Sequence, residues 1–578
     1  MINKKTAKKT KRKVKRTIDP QKAIQRKQRL GIRAMYQRIG FERVNSDGVE
    51  FKFDGRTGEI DDIFLCSNVL VIAEYTIGKP SSSHIATKSL LYEKIITKGA
   101  KWIEEYGVVN PSFGNCIAKN GFQPEEFQIF ICYASLQGVS KEIEDLFPTY
   151  SFLDGTRSRY FDALSKTIHQ SARHEFCNYL GVDLDRLGSR VHDSSEKSKE
   201  FQGYLLPEVN SGYPKGFKVV SFYADPATLL EMSYVLRKDG WRDDDGLYQR
   251  ILIKGKINSM RRYLKEQGRV FVNNIVVTLP SKVHINEPGS RKNVDHAKLT
   301  KVQPVTLSIP LESNMIGLID GQHRVFCYHE SSRDPLDVEI AKQRTRQNLL
   351  VTGLIYPGNW DQSKRSAFEA KLFLEINDTQ ARAKTVLKQS IEVLLKPYST
   401  MAIAKEVTNK LARSGPLNNL LQTNFFDPPD RIRTSSMVSY GLQPLVKTEG
   451  TDSLFAAWDN ANKAMLIDRT TNDTLRKALL TEYIDFCVKE INQFLIAAKL
   501  AIGPERWKVS TAKDRQLLST TTINGFFVCI RRLIEFKSAR SDASYKKRMT
   551  PLATLPFSKY KSSAWKALGD EMFNECFA

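Results

Sequence analysis

Short runs of apolar, largely β-branched and aromatic residues recur along the chain: VLVIAEY (69–75), FQIFICYAS (127–135), FKVVSFYA (217–224), FVNNIVVTL (271–279), MIGLID (315–320) and LLVTGLIYP (349–357). Near-continuous apolar runs of this length, bounded by turn-forming residues, mark strands buried on both faces. Such strands need helices to cover them, so the pattern predicts an α/β multidomain protein. Helical periodicity lies between them, in KSLLYEKIITKGAKWIEEY (88–106), around 158–180, at 226–237 and in ILIKGKINSMRRYLKEQ (251–267). GVEFKFD (48–54) and DDIFL (61–65) read as further strands, and PVTLSIPL (304–311) as another beyond a polar loop at 284–302. At 578 residues the chain exceeds what one core serves. The layout expected is a basic tail and lead-in helix (1–45), a first α/β unit (46–185) and a linker rich in Ser, Gly, Pro and charge (186–215). A second α/β unit (216–390) and a mostly helical region (391–578), broken near Gly415, Pro428 and Gly450, complete it.

The formal charge of +24 is uneven: residues 1–30 hold thirteen Lys and Arg against Asp19 alone, half of the excess. A run such as KKTAKKTKRKVKR is expected to be mobile by itself and to attract phosphate backbones through counterion release. No amphipathic apolar face accompanies it, so nucleic acid is expected as partner and a membrane is not. No apolar run is long enough to span a bilayer, and no apolar segment follows the basic start as in a secretory signal. The eight cysteines show no CxxC pair, the usage of free thiols in a reducing cytoplasm.

The segment richest in chemistry is MIGLIDGQHRVFCYHE. An apolar strand delivers Asp320, Gly321 permits a tight turn, and Gln322, His323 and Arg324 open a helix. Free backbone N–H groups at such a helix start favour a phosphate, and a guanidinium can fork onto phosphoryl oxygens. Asp320 is a candidate to hold Mg²⁺ or orient water, and His323 to move a proton. The structural alternative has Asp320 capping the helix and the basic residues in ordinary ion pairs. His323, Cys327 and His329 lack a fourth ligand at a recognised spacing, so zinc is not expected.

IDGQHR resembles the signature of the DGQHR-domain family, which includes DndB-like DNA sulfur-modification proteins and is related to the ParB/sulfiredoxin-like fold. Tyr248-Gln249-Arg250 matches that family's QR element, FLEINDTQAR (373–382) its later asparagine segment, and PERWKVSTAKDRQLLSTTTINGFF (504–527) its helical part. The likeness runs over about 215–540. It implies a nucleotide-phosphate-binding domain, with NTP hydrolysis an open alternative to binding alone, in which Asp320, Gln322, His323 and Arg324 line the site and Gln249, Arg250 and Asn377 face it.

In the first unit, GEIDDIFLCSNVLVIAEYT (58–76) resembles the PD-(D/E)xK nuclease core over about 46–185. There two acids hold Mg²⁺ beside the scissile phosphate and a lysine steadies the charge. Asp61 or Asp62 and Glu74 match the acids; Thr76 stands where the lysine belongs, with Lys79 or Lys88 as substitutes. Together the likenesses imply a cytoplasmic, DNA-associated protein of DNA modification or phage defence. It would use NTP and Mg²⁺, with DNA, a nucleotide and other modification or restriction proteins as partners. The alternative is a non-enzymatic DNA-binding regulator or a structural subunit of a modification complex.

Overall fold

Seven of the eight residues of the strand Val69–Thr76 are buried, because helices lie on both sides of it. The computed structural model describes residues 19–184, 186–188, 198–237, 240–242, 249, 251–312, 314–378, 385–424, 426–428, 430–510, 516–561 and 563–578. The chain separates into two units, residues 1–194 and 195–578. The basic run before Asp19 lies outside the described residues, as do Tyr248 and Arg250. No helix among the described residues is long and apolar enough to cross a membrane.

The first unit holds a five-stranded mixed sheet, ordered Glu42–Val44, Asp62–Cys66, Val69–Thr76, Gln128–Ser135, Tyr150–Leu153. The first three pair antiparallel and the last two join in parallel. A parallel neighbour requires a crossover, which the helices Ser82–Thr97, Gly99–Val109 and Pro111–Asn120 supply. Trp102, Tyr106 and Phe113 share one core with the sheet residues Ile63, Leu65, Leu70, Ile72 and Ile131. On the other face Tyr36 stacks on Phe64 at 3.9 Å between centroids and meets Phe176 edge-on.

Tyr36 belongs to the helix Pro20–Arg38. That lead-in helix, expected to go with the tail, is therefore part of the first unit. Its buried stripe of Ile32, Met35 and Tyr36 has helical spacing but is diluted in sequence by the surrounding basic residues. The strand read in GVEFKFD pairs only with Arg56–Glu59, as a hairpin turned by Asp54-Gly55 at φ 46° and 81°.

The second unit opens with an eight-stranded sheet. Its order is Ser233–Tyr234, Ile316–Asp320, Ile275–Leu279, Leu349–Ile355, Lys218–Ala224, Ser198–Leu206, Gln303–Pro310, His284–Asn286. Ser198–Leu206 corrects the expected linker at 186–215: all of it but Leu206 pairs with Gln303–Pro310. Its inward alternation reads Phe201, Gly203, Leu205, and the glycine hides the period. A Cβ on Gly203 would lie 2.5 Å from the Ser221 carbonyl oxygen, so the close strand approach demands that residue. Beyond the helix Gln362–Asp378 the described residues are mostly helical, apart from the short pair Leu421–Gln422 and Ile432–Arg433, around one core that residues from Asp473–Ile502, Thr520–Glu535 and Trp565–Phe577 help to fill.

Candidate functional site

In the second unit the buried strand Ile316–Asp320 ends on a half-exposed Asp320. Gly321 follows at φ 98°, a left-handed conformation that a β-carbon disfavours. The helix it starts, Gln322–Phe326, is only five residues long. Its dipole is therefore small, and the fixed positive charge at the turn comes from Arg324. Arg324 Nη2 donates to Asp320 Oδ2 at 2.7 Å and to the Asn274 carbonyl at 2.9 Å. The guanidinium thus folds under the turn and ties Asp320 to the neighbouring strand's approach.

His323 Nε2 accepts from the Ile253 backbone N–H at 3.2 Å. Burial, with help from Lys256 and Arg237, pushes its imidazole down to about 4. It is neutral at pH 7, and the Ile253 N–H occupies the Nε2 lone pair that would take a proton. Between pH 6.5 and about 4 the unfolded chain takes up a proton that the folded one does not. His323 therefore contributes stability that is full above its unfolded value and lost on acidification. Comparing wild type with His323→Gln in urea titrations should show the wild type losing an extra ~2–3 kcal/mol between pH 7 and 4. Parallel losses in both proteins would mean that His323 is not held neutral.

Gln249 backs the strand: it is buried, and its Nε2 donates to the carbonyls of Leu318 and Ile319. Asn377 lies near the end of Gln362–Asp378, and its side chain is outside what the structure describes. Composition gave no sign of the frame behind the turn. Arg261, fully buried, donates to the carbonyls of Cys327 (2.9 Å) and His329 (2.8 Å), to Asp334 (2.8 Å) and to Asp337 (3.1 Å). Arg344 reaches the carbonyls of Tyr328 and His329 and Asp337 from a second helix. The signal for Arg261 was present: it continues the apolar stripe Ile257, Arg261, Leu264.

In the first unit Glu74 sits 2% exposed on the central strand. Lys88, from the helix Ser82–Thr97, donates to its Oε2 and Tyr92 to its Oε1. Of the two candidate lysines the fold thus brings Lys88 to the acid, while Lys79 is exposed in the loop before that helix. Burial pushes the Glu74 carboxyl up to about 7, against the pull of Lys88, with Asp61 adding to the rise. Asp61 accepts from Arg29 and from the Tyr75 backbone N–H at 3.1 Å. Asp62 is wholly buried and accepts from Arg33 (2.7 Å), Arg43 and the Tyr75 hydroxyl (2.8 Å). Gln28 Nε2 spans the carboxyl ends of two parallel strands, donating to the carbonyls of Thr76 (3.0 Å) and Ala134 (3.1 Å). It thereby seats Arg29 beside Asp61.

The nuclease likeness calls for a divalent cation on these acids, and the residues present do not fit one. All the carboxylate oxygens of Asp61, Asp62 and Glu74 already accept from protein donors. Arg29, Arg33, Arg43 and Lys88 balance those three acids plus Asp47, leaving no surplus negative charge. No family model, curated protein or solved structure matches this chain.

Proposed function

We propose that the chain is a DNA-associated protein of the DGQHR type that binds a nucleotide phosphate at the turn 320–324 and acts in DNA modification or phage defence. What supports this reading is the buried Arg261–Asp334–Asp337–Arg344 frame. Buried ion networks contribute little net stability and are costly to assemble. Spending one on a five-residue helix makes sense where the turn it holds must present side chains to a ligand. A phosphoryl group at the turn meets Arg324, exchanges with Asp320 for its N–H, and frees Asp320 to orient water. Mg²⁺ arriving with an NTP would neutralise phosphoryl charge, and a single carboxylate suffices for an ion that keeps its waters. Neutral His323 serves as a hydrogen-bonding wall.

The first unit supports a nuclease-like, DNA-facing module: an antiparallel meander, a helical crossover and a parallel fourth strand, with acids on the second and third strands. A binding-only regulator is the second reading, favoured by the engagement of His323 Nε2 with the Ile253 backbone N–H, which takes up that nitrogen's lone pair. The two are separated by NTP turnover and affinity measured in wild type and Asp320→Ala. The enzymatic reading expects turnover to fall about a hundredfold or more in the variant. Binding without turnover in wild type selects the regulator. No nucleotide binding by a folded wild type removes the phosphate site.

A further inference from the structure

The acids of the first unit are neutralised by side chains that the fold itself puts in place. Arg29 is held by Gln28, one residue before it, whose amide is anchored on two strand ends. Its guanidinium lies 5.2 Å from the Tyr75 ring centroid while it donates to Asp61, whose other oxygen takes the Tyr75 N–H. Asp61 is thus pinned from both sides, with one carboxylate oxygen taken by Arg29 and the other by the Tyr75 N–H, so it offers no open ligand to an ion. Arg29 and Lys88 nevertheless keep 26% and 35% of their side-chain surface exposed. Both carry more N–H donors than the acids use.

We infer that Arg29 is the built-in cation of this site, taking the place of a divalent metal, and that the unit meets a phosphodiester through Arg29 and Lys88. This rests on the reading of the first unit as a nuclease-like, DNA-facing module. A guanidinium fork suits phosphate geometry, and the ammonium adds a point charge beside it. Engagement would then be independent of divalent cations. The carboxylates set the two cations in position and hold no metal.

The test is Mn²⁺ binding by the full chain, followed by the electron paramagnetic resonance of the free ion. Wild type, Arg29→Gln and Arg29→Gln/Glu74→Gln are compared, with Arg29→Ala as a second neutral variant and thermal melts as the check on folding. Removing the guanidinium uncovers Asp61 and restores a net negative charge. Arg29→Gln is expected to bind Mn²⁺ at least about tenfold more tightly than wild type, and Glu74→Gln to abolish the gain. Equal, Glu74-dependent binding by wild type and Arg29→Gln would overturn the inference and leave the nuclease-like reading standing. No Glu74-dependent binding in either neutral variant would overturn both.

Discussion

Arg261→Ala is expected to destabilise the second unit by about 3–5 kcal/mol, the usual result of removing one partner from a buried ionic network. The side chain is fully buried and serves two carbonyls and two carboxylates. Truncation leaves all four short of a donor, although the carboxylates of Asp334 and Asp337 keep some contact with water. Arg344 shares the His329 carbonyl and Asp337, which places the effect at the lower end of the range. Because each arginine partly covers the shared acceptors when the other is lost, the double variant should cost more than the sum of the singles. Urea denaturation of the full chain measures this, with Arg261→Lys as the variant that keeps charge but loses the fork. A midpoint for Arg261→Ala equal to that of wild type would mean that the frame is not what holds the turn.

Gly321→Val is expected to cost about 2–4 kcal/mol and to abolish nucleotide binding at the same time. The residue sits at φ 98°, where a β-branched side chain is strained whatever the space around it. A Cβ there would also come within 2.6 Å of Ile275 Cδ1 and 3.2 Å of Arg324 Nη2. Relief would push the strand Ile275–Leu279 or Arg324 away, and either movement unseats Asp320. Gly321→Ala, with the smaller clash, should fall between. Melting temperature and nucleotide affinity read together check this. Retained affinity in a destabilised Gly321→Val protein would detach the turn from the binding site.

The local parts of the architecture were readable before any coordinates. Apolar runs placed the strands, and the polar string after Met315–Ile319 placed Asp320 at a strand end with a glycine turn. What escaped reading depends on contacts between distant segments. Arg261 and Arg344 sit in basic helices whose composition is that of a solvated face; the apolar stripe Ile257, Leu264 marks the position of Arg261 as inward, but what it and Arg344 hold is set by packing against Cys327–His329. Lys79 and Lys88 were equivalent candidates in sequence because the phase of the helix Ser82–Thr97 against the sheet decides which one reaches Glu74. Gln28, Arg29 and Arg33 belong to the site only because their helix docks through Tyr36. Ser198–Leu206 was missed because a glycine occupies one of its inward positions.

The strand order of the second sheet also dictates a timetable for synthesis. Leu349–Ile355 lies between Ile275–Leu279 and Lys218–Ala224 and makes both of their ladders, yet it is the last of the eight strands to be translated. Its neighbours leave the ribosome earlier and wait with unsatisfied N–H and C=O rows until it arrives. Ser198–Leu206 waits likewise for Gln303–Pro310 to complete its second side. Pairings of such long sequence separation form slowly, and open strand edges recruit other chains. Nascent or truncated chains that end before Leu349 therefore carry two sticky edges, and are the forms of this protein most in need of a chaperone.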